Sequence, residues 1–152
     1  MSRRNGFTLI EIMIVVVIFG IMAIAVYPRV GLVLAKNDVR SARTTLANRF
    51  VTARAVAMQR SRTASVTFNG NNVVVTAGPR TFPVAGSTLD TIGGVQNFNA
   101  LYGVTITADA ATVPYDPRGF AGGLSSTPLK FVVSRSGTRD SVSLDYLGRV
   151  TK

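Results

Sequence analysis

Phe7 and Glu11 stand four residues apart at the start of an apolar run, residues 7–26, in which Glu11 is the only charged side chain. A carboxylate inside such a run costs roughly 2.5–3.5 kcal/mol on membrane-insertion scales. Cleavage between Gly6 and Phe7 would create an α-amine at Phe7, titrating at about 7.7–8.0. In a helix the four-residue spacing brings the two groups onto one face. At ~4 Å and an effective dielectric of ~20, an ammonium and a carboxylate attract by about 4 kcal/mol. That is comparable to the insertion cost. The pair can also form between neighbouring chains, the amine of one meeting the acid of the next, and would then set the axial stagger of an assembly.

Little else in the chain points to reaction chemistry. Its 152 residues include no Cys, His or Trp. Disulfides, ordinary zinc sites and the usual Ser-His or Cys-His nucleophile pairs are therefore unavailable. Asp109, Asp116, Asp140 and Asp145 fall in or beside turn-forming sequence, where Asx hydrogen bonding is the ordinary reason for an acid. No Asp-x-Asp-x-Asn calcium loop occurs, and Gly93-Gly94 and Gly122-Gly123 read as loop points. No catalytic residue, metal site or cofactor is expected. The formal charge is +10, from 17 Lys and Arg against 7 Asp and Glu. Without Arg3 and Arg4 it is +8, an excess that favours anionic neighbours such as lipid head groups, an acidic partner or nucleic acid.

The elements that would hold these residues can be read from periodicity. At ~1.5 Å per residue the apolar run spans ~30 Å, the hydrocarbon thickness of a bilayer. Pro28 removes a backbone donor and crowds the Ile24 carbonyl, so a kink is expected. Gly20 is a second weak point, worth about 1 kcal/mol relative to Ala. Beyond it, Val39, Ala42, Leu46, Phe50, Ala53 and Ala57 mark one helical face. Lys36, Arg40, Arg43 and Arg54 run along its flank, expected to meet water. Ser41, Thr45, Asn48, Thr52 and Gln59 make an opposite face that is polar and uncharged, suited to packing between helices. After Arg62 the chain reads as strands. Residues 65–68 and 73–76 form a hairpin around Asn69-Gly70-Asn71-Asn72, and 78–103 an irregular excursion. Strands follow at 104–108, 112–115, 129–133 and 141–146, with Pro114 favouring an edge or a bulge. The fold class is α+β: a long N-terminal α-helix packed on an antiparallel β-sheet domain. The expected divisions are residues 1–6, a leader; 7–28, a membrane-spanning or filament-core helix; 29–62, its amphipathic continuation; and 63–152, the sheet domain.

A short basic leader ending in Gly6, then Phe7-Thr8-Leu9-Ile10-Glu11 and an apolar stretch, resembles the N-terminal signature of type IV pilins and type II secretion pseudopilins. The resemblance implies the pilin fold, cleavage after Gly6 by a prepilin peptidase, methylation of Phe7, and a role for Glu11 in subunit assembly. Gly20 and Pro28 fit the helix-weakening pair of that family, between which the helix can loosen as subunits enter a filament. Further on, Asp116-Pro117-Arg118-Gly119-Phe120, Arg135-Ser136-Gly137-Thr138-Arg139 and the terminal Gly148-Arg149-Val150 resemble the GspH/FimT branch of minor pilins and pseudopilins. The implied partners are the peptidase, other pilin or pseudopilin subunits and, before assembly, the membrane. The implied location is the bacterial inner membrane, crossed once with the C-terminal domain periplasmic, and then the pilus or pseudopilus. Related minor pilins contribute to DNA uptake in natural transformation, which makes Arg135, Arg139, Arg149 and Lys152 candidate nucleic-acid contacts. A secretory signal peptide is the competing reading of the N-terminus, with Arg3 and Arg4 as its basic region and Ala23-Ile24-Ala25 as its cleavage site. A plain membrane anchor is another.

Overall fold

The computed structural model describes residues 7–79, 89–122 and 128–152, with the backbone alone at 25–30. The chain divides into two compact units, Met1–Ala35 and Lys36–Lys152. The first helix, α1 (Leu9–Arg60), runs through both. It stays helical at Gly20 and at Pro28, so neither residue ends it. In the first unit every described side chain of residues 7–24 is exposed. A helix apolar on all sides has no interior of its own to bury against.

In the second unit the expected stripe is the core face of α1. Val39, Ala42, Leu46, Phe50, Ala53 and Ala57 are all buried. They meet two four-stranded antiparallel sheets where one was expected. The first sheet has the order β3 (Asp90–Asn97), β2 (Asn72–Ala77), β1 (Ala64–Asn69), β5 (Thr112–Tyr115). The second has the order β4 (Thr105–Ala108), β6 (Leu129–Arg135), β7 (Thr138–Leu144), β8 (Val150–Thr151). Helix and sheets meet at three rings. Phe50 of α1 lies 4.8 Å from Phe131 of β6 and 6.0 Å from Phe68 of β1, and Phe68 and Phe131 stack at 5.0 Å. Each ring comes from a different layer, so the cluster holds all three together.

Turn chemistry sets the hairpins. Gly70 takes a φ of 58° at the first central position of the β1–β2 turn, which suits glycine in a II′ hairpin. Ser136 and Gly137 both have positive φ, 46° and 80°, the I′ requirement, and Arg135 pairs with Thr138 across them. Arg135 and Arg139 therefore belong to strands, where a longer turn was expected. Pro114 lies on β5, at the edge of its sheet.

The excursion expected over 78–103 is partly regular: it contains β3 and a short helix, α2 (Phe98–Tyr102); residues 80–88 lie outside the described ones. Strand β3 shows no clean alternation because the register to β2 slips between Val73 and Val75, opposite Gly93 and Gly94, both at positive φ. Asn97 caps α2, its side chain accepting from the Ala100 N–H at 2.8 Å, and Gly103 ends it at φ 63°.

The flanks of α1 are bolted to the sheets, which corrects the expectation that its basic flank faces water. Lys36 and Arg40 are exposed. Arg43, however, reaches Asp140 of β7 at 2.9 Å, and Arg54 donates to the Gly148 carbonyl at 3.4 Å. On the other side Asp38 pairs with Arg135, and Arg49 donates to Gln96 at 2.9 Å and to the Ile92 and Gly93 carbonyls of the β3 bulge. Thr45, expected on the outward neutral face, instead shares a 2.9 Å hydrogen bond with Tyr102. With two sheets flanking the helix, more of its circumference is covered than the apolar stripe alone indicates.

Replacing Phe131 by Ala should cost about 3–5 kcal/mol, whereas a substitution at exposed Arg40 should stay within about 0.5 kcal/mol. Urea unfolding of the detergent-solubilised chain, followed by circular dichroism, checks both.

Candidate functional site

Thr8 and Glu11 form a reciprocal cap at the start of α1. The Thr8 hydroxyl accepts from the Glu11 N–H at 3.3 Å, and a Glu11 carboxylate oxygen accepts from the Thr8 N–H at 3.5 Å. This is the Thr-x-x-Glu capping box, in which two otherwise orphaned donors are satisfied. The carboxylate also sits in the first helical turn, where the positive end of the backbone dipole favours an anion by about 0.3–1 kcal/mol. Glu11 thus has a local reason to be acidic besides any amine. The Thr-x-x-Glu spacing is the sequence signal for this cap, distinct from the four-residue spacing from Phe7. Phe7 itself is 77% exposed and precedes the Thr8 cap, so it is not part of the helix on which its alignment with Glu11 was argued. Gly6 lies outside the described residues.

Gly20 is exposed, and a Cβ there would meet no heavy atom within 4 Å. Its glycine is therefore not required by packing within this chain. The Pro28 side chain lies outside those described. Among the described residues no helix is both long and apolar enough to cross a membrane; the side chains of 25–28, at the end of the expected span, are not among them.

The four candidate phosphate contacts divide. Arg135 is committed: its guanidinium pairs with Asp38 and donates to the Tyr102 carbonyl at 2.7 Å. Arg139, Arg149 and Lys152 are exposed. Of the turn acids, Asp116 and Asp145 behave as expected. Asp116 accepts from the N–H groups of Arg118 and Phe120, and Asp145 from that of Tyr146. Asp109 instead accepts from the Lys130 N–H, and Asp140 lies within β7, paired with Arg43. Among the described residues no three potential metal ligands cluster.

Two segments that looked unrelated in the sequence adopt the same turn. In Asp116–Phe120 the Asp N–H donates to the Phe120 carbonyl at 3.0 Å, and the Gly119 N–H to the Asp116 carbonyl at 2.9 Å. In Asp145–Arg149 the matching bonds are 3.0 and 2.8 Å. The glycines, at φ 85° and 70°, face each other so closely that a Cβ on Gly148 would collide with the Gly119 carbonyl. The Ala121 N–H donates to the Tyr146 carbonyl at 3.0 Å, tying one turn to the other. The shared Asp-x-x-Gly spacing was the available signal. Beneath them lies Tyr115, fully buried, its hydroxyl without a partner among the described residues, as is the buried Nε of Arg54. Burial pushes the Tyr115 phenol well above its ordinary pKa, and the Arg54 cation pulls it partly back.

Comparison with known proteins agrees with this architecture. Residues 1–27 match the family described as the prokaryotic N-terminal methylation motif. No curated protein matches the chain. The fold is similar to that of the type IV minor pilin FimU of Pseudomonas aeruginosa strain PAO1 in two crystal forms. In the P21 form the identity is 15%, the match covers 76% of this chain and 88% of that one, and the TM-score is 0.59. In the P65 form the identity is again 15%, the coverage 74% and 90%, and the TM-score 0.54. The chain therefore carries a prepilin-type N-terminus and the α+β pilin fold, a long N-terminal helix followed by antiparallel sheets.

Tyr115→Phe removes a hydroxyl that makes no hydrogen bond among the described residues, so stability at neutral pH should be unchanged or higher by up to about 1 kcal/mol. Because the folded-state phenol titrates above the unfolded one, its contribution is complete below about pH 10 and is lost as pH rises beyond that. The variant should lose less stability than the parent between neutral and alkaline pH. Denaturant titrations at the two pH values check this, and a loss above about 2 kcal/mol at neutral pH would show that the hydroxyl is bonded.

Proposed function

We propose that the protein is a structural, non-enzymatic minor subunit of a type IV pilus or a type II secretion pseudopilus. It is made as a membrane-held precursor, cut after Gly6 and methylated at Phe7. The observation that carries this reading is the coincidence of the methylation motif with a helix that, Glu11 apart, is apolar on every side and exposed from Leu9 to Ile24. Such a surface is stable only in lipid or against other apolar helices. The reading gives it both in turn: a single bilayer pass, with the folded domain in the periplasm, and then the filament interior. In either setting Glu11 is the costly group. The Thr8 cap and the helix dipole offset part of the cost, and the Phe7 ammonium of an adjacent subunit supplies the rest. Gly20 and Pro28 then serve as the points at which the helix yields on assembly.

The outward face of the later helix belongs to the same reading. Ser41, Asn48 and Gln59 are exposed there. A neutral face of this kind buries against a neighbouring helix without stranding charge.

Intact-mass measurement and N-terminal sequencing of the membrane-extracted protein test the processing step. The expected chain starts at methylated Phe7. A mature start at Val26, or retention of Arg3 and Arg4, would contradict it. Asn48→Lys should leave thermal unfolding unchanged within about 0.5 kcal/mol while lowering incorporation into sheared filaments; normal incorporation would remove the neutral face from the interface.

A further inference from the structure

Each Asp of the folded unit makes an ion pair or accepts a backbone N–H within it. From Lys36 onward the chain has six acids and fourteen Lys and Arg, which are the full chain's 7 and 17 less Glu11, Arg3, Arg4 and Arg29. Asp38, Asp90 and Asp140 pair with Arg135, Arg60 and Arg43. Asp109, Asp116 and Asp145 accept backbone N–H groups. With fourteen basic against six acidic side chains the unit is strongly cationic, so a second copy of it is a poor electrostatic complement.

One part of the unit's surface is more than charged. Around the joined Asp-x-x-Gly turns, Phe120, Tyr146 and Met58 are exposed at 42, 53 and 43%, with Arg118 and Arg149 exposed beside them. They are neighbours: the turns are bonded through Ala121 and Tyr146, and a Cβ at Gly119 would lie 2.8 Å from the Met58 sulfur. Two turns back along α1, Val51 is also exposed. Aromatic rings, methionine and arginine are the residue types that concentrate binding energy at protein interfaces. Here the rings sit on turns fixed by their own hydrogen bonds, so little backbone freedom remains to be lost on binding.

We propose that the twin-turn surface docks an acidic polypeptide segment with an apolar or aromatic anchor, contributed by a protein other than this chain. Phe120, Tyr146 and Met58 receive the anchor, and Arg118 and Arg149 meet the carboxylates. Met58 and Val51 add apolar area that neither stacks on bases nor contacts phosphate, which favours a polypeptide over a nucleic-acid strand. The inference concerns the folded unit alone and holds whether or not the N-terminus is processed.

The test uses the full chain in zwitterionic detergent and three fluorescent probes of equal negative charge: a peptide alternating Asp or Glu with Phe or Leu, a peptide of Asp and Ser only, and oligo-dT. Anisotropy titrations should show the amphipathic peptide binding at least about tenfold more tightly than either other probe. The pair Phe120→Ser with Tyr146→Ser should remove that preference. Arg118→Glu with Arg149→Glu should abolish binding, and Lys130→Glu, outside the patch, should leave it within about twofold. Equal affinity for the two peptides, an equal loss in Lys130→Glu, or tighter binding of oligo-dT would each overturn the proposal, the last by making the surface a nucleic-acid site.

Discussion

A carboxylate at the beginning of an apolar helix must be compensated where it stands, because the apolar side chains that follow it offer no hydrogen bonds. The protein begins that compensation itself. Thr8 and Glu11 satisfy each other's backbone donors, and the helix end supplies a fixed partial positive charge. This is enough to fix where α1 starts. It is not enough to neutralise a full negative charge in a low-dielectric medium, where an isolated ion costs several kcal/mol after relaxation. In the proposed function the remainder comes from a cation, the amino terminus that processing would create at Phe7. Proteolysis, anchoring and assembly are linked in the proposed function through that single shortfall.

The folded unit applies a different electrostatic rule. Its carboxylates are used internally, three of them to tie α1 to the sheets or their edges through arginine. The pairs are partly exposed, so each contributes modestly to stability. Their greater effect is positional, since they fix the helix from both sides while the Phe50–Phe68–Phe131 cluster holds it from the middle. The Lys and Arg left over give that unit its net positive charge. The first unit is thus suited to a greasy environment with one anion, and the second to anionic surroundings.

Much of this was legible in the residues. The stripe from Val39 to Ala57 was readable because helix burial repeats on a 3.6-residue period, and every member is buried. The β1–β2 hairpin followed from Asn69-Gly70 between alternating apolar positions. The second sheet was not legible, because alternation fixes which side chains face inward but not which strands pair. Strand β3 was missed because its bulge breaks the alternation and most of its residues are exposed. Helix α2 was missed because one turn carries no periodicity, although Asn97 and Gly103 bracket it. At the site, the Phe7–Glu11 spacing drew attention from the Thr8–Glu11 cap. Arg135 looked free because its partner Asp38 lies 97 positions away. The match between the two Asp-x-x-Gly turns emerged only when the fold brought Gly119 against Gly148.

Glu11 has two separable roles in this account, as cap and as counter-charge. Gln is an accepted partner in a capping box but carries no charge, so Glu11→Gln keeps the first role and removes the second. The decisive measurement is incorporation of the Glu11→Gln chain into sheared filaments, beside its level and processing in the membrane. The account predicts a chain that is cut normally, accumulates in the membrane and fails to enter the filament. Incorporation at the level of the parent chain would contradict it and leave Glu11 as a helix cap alone.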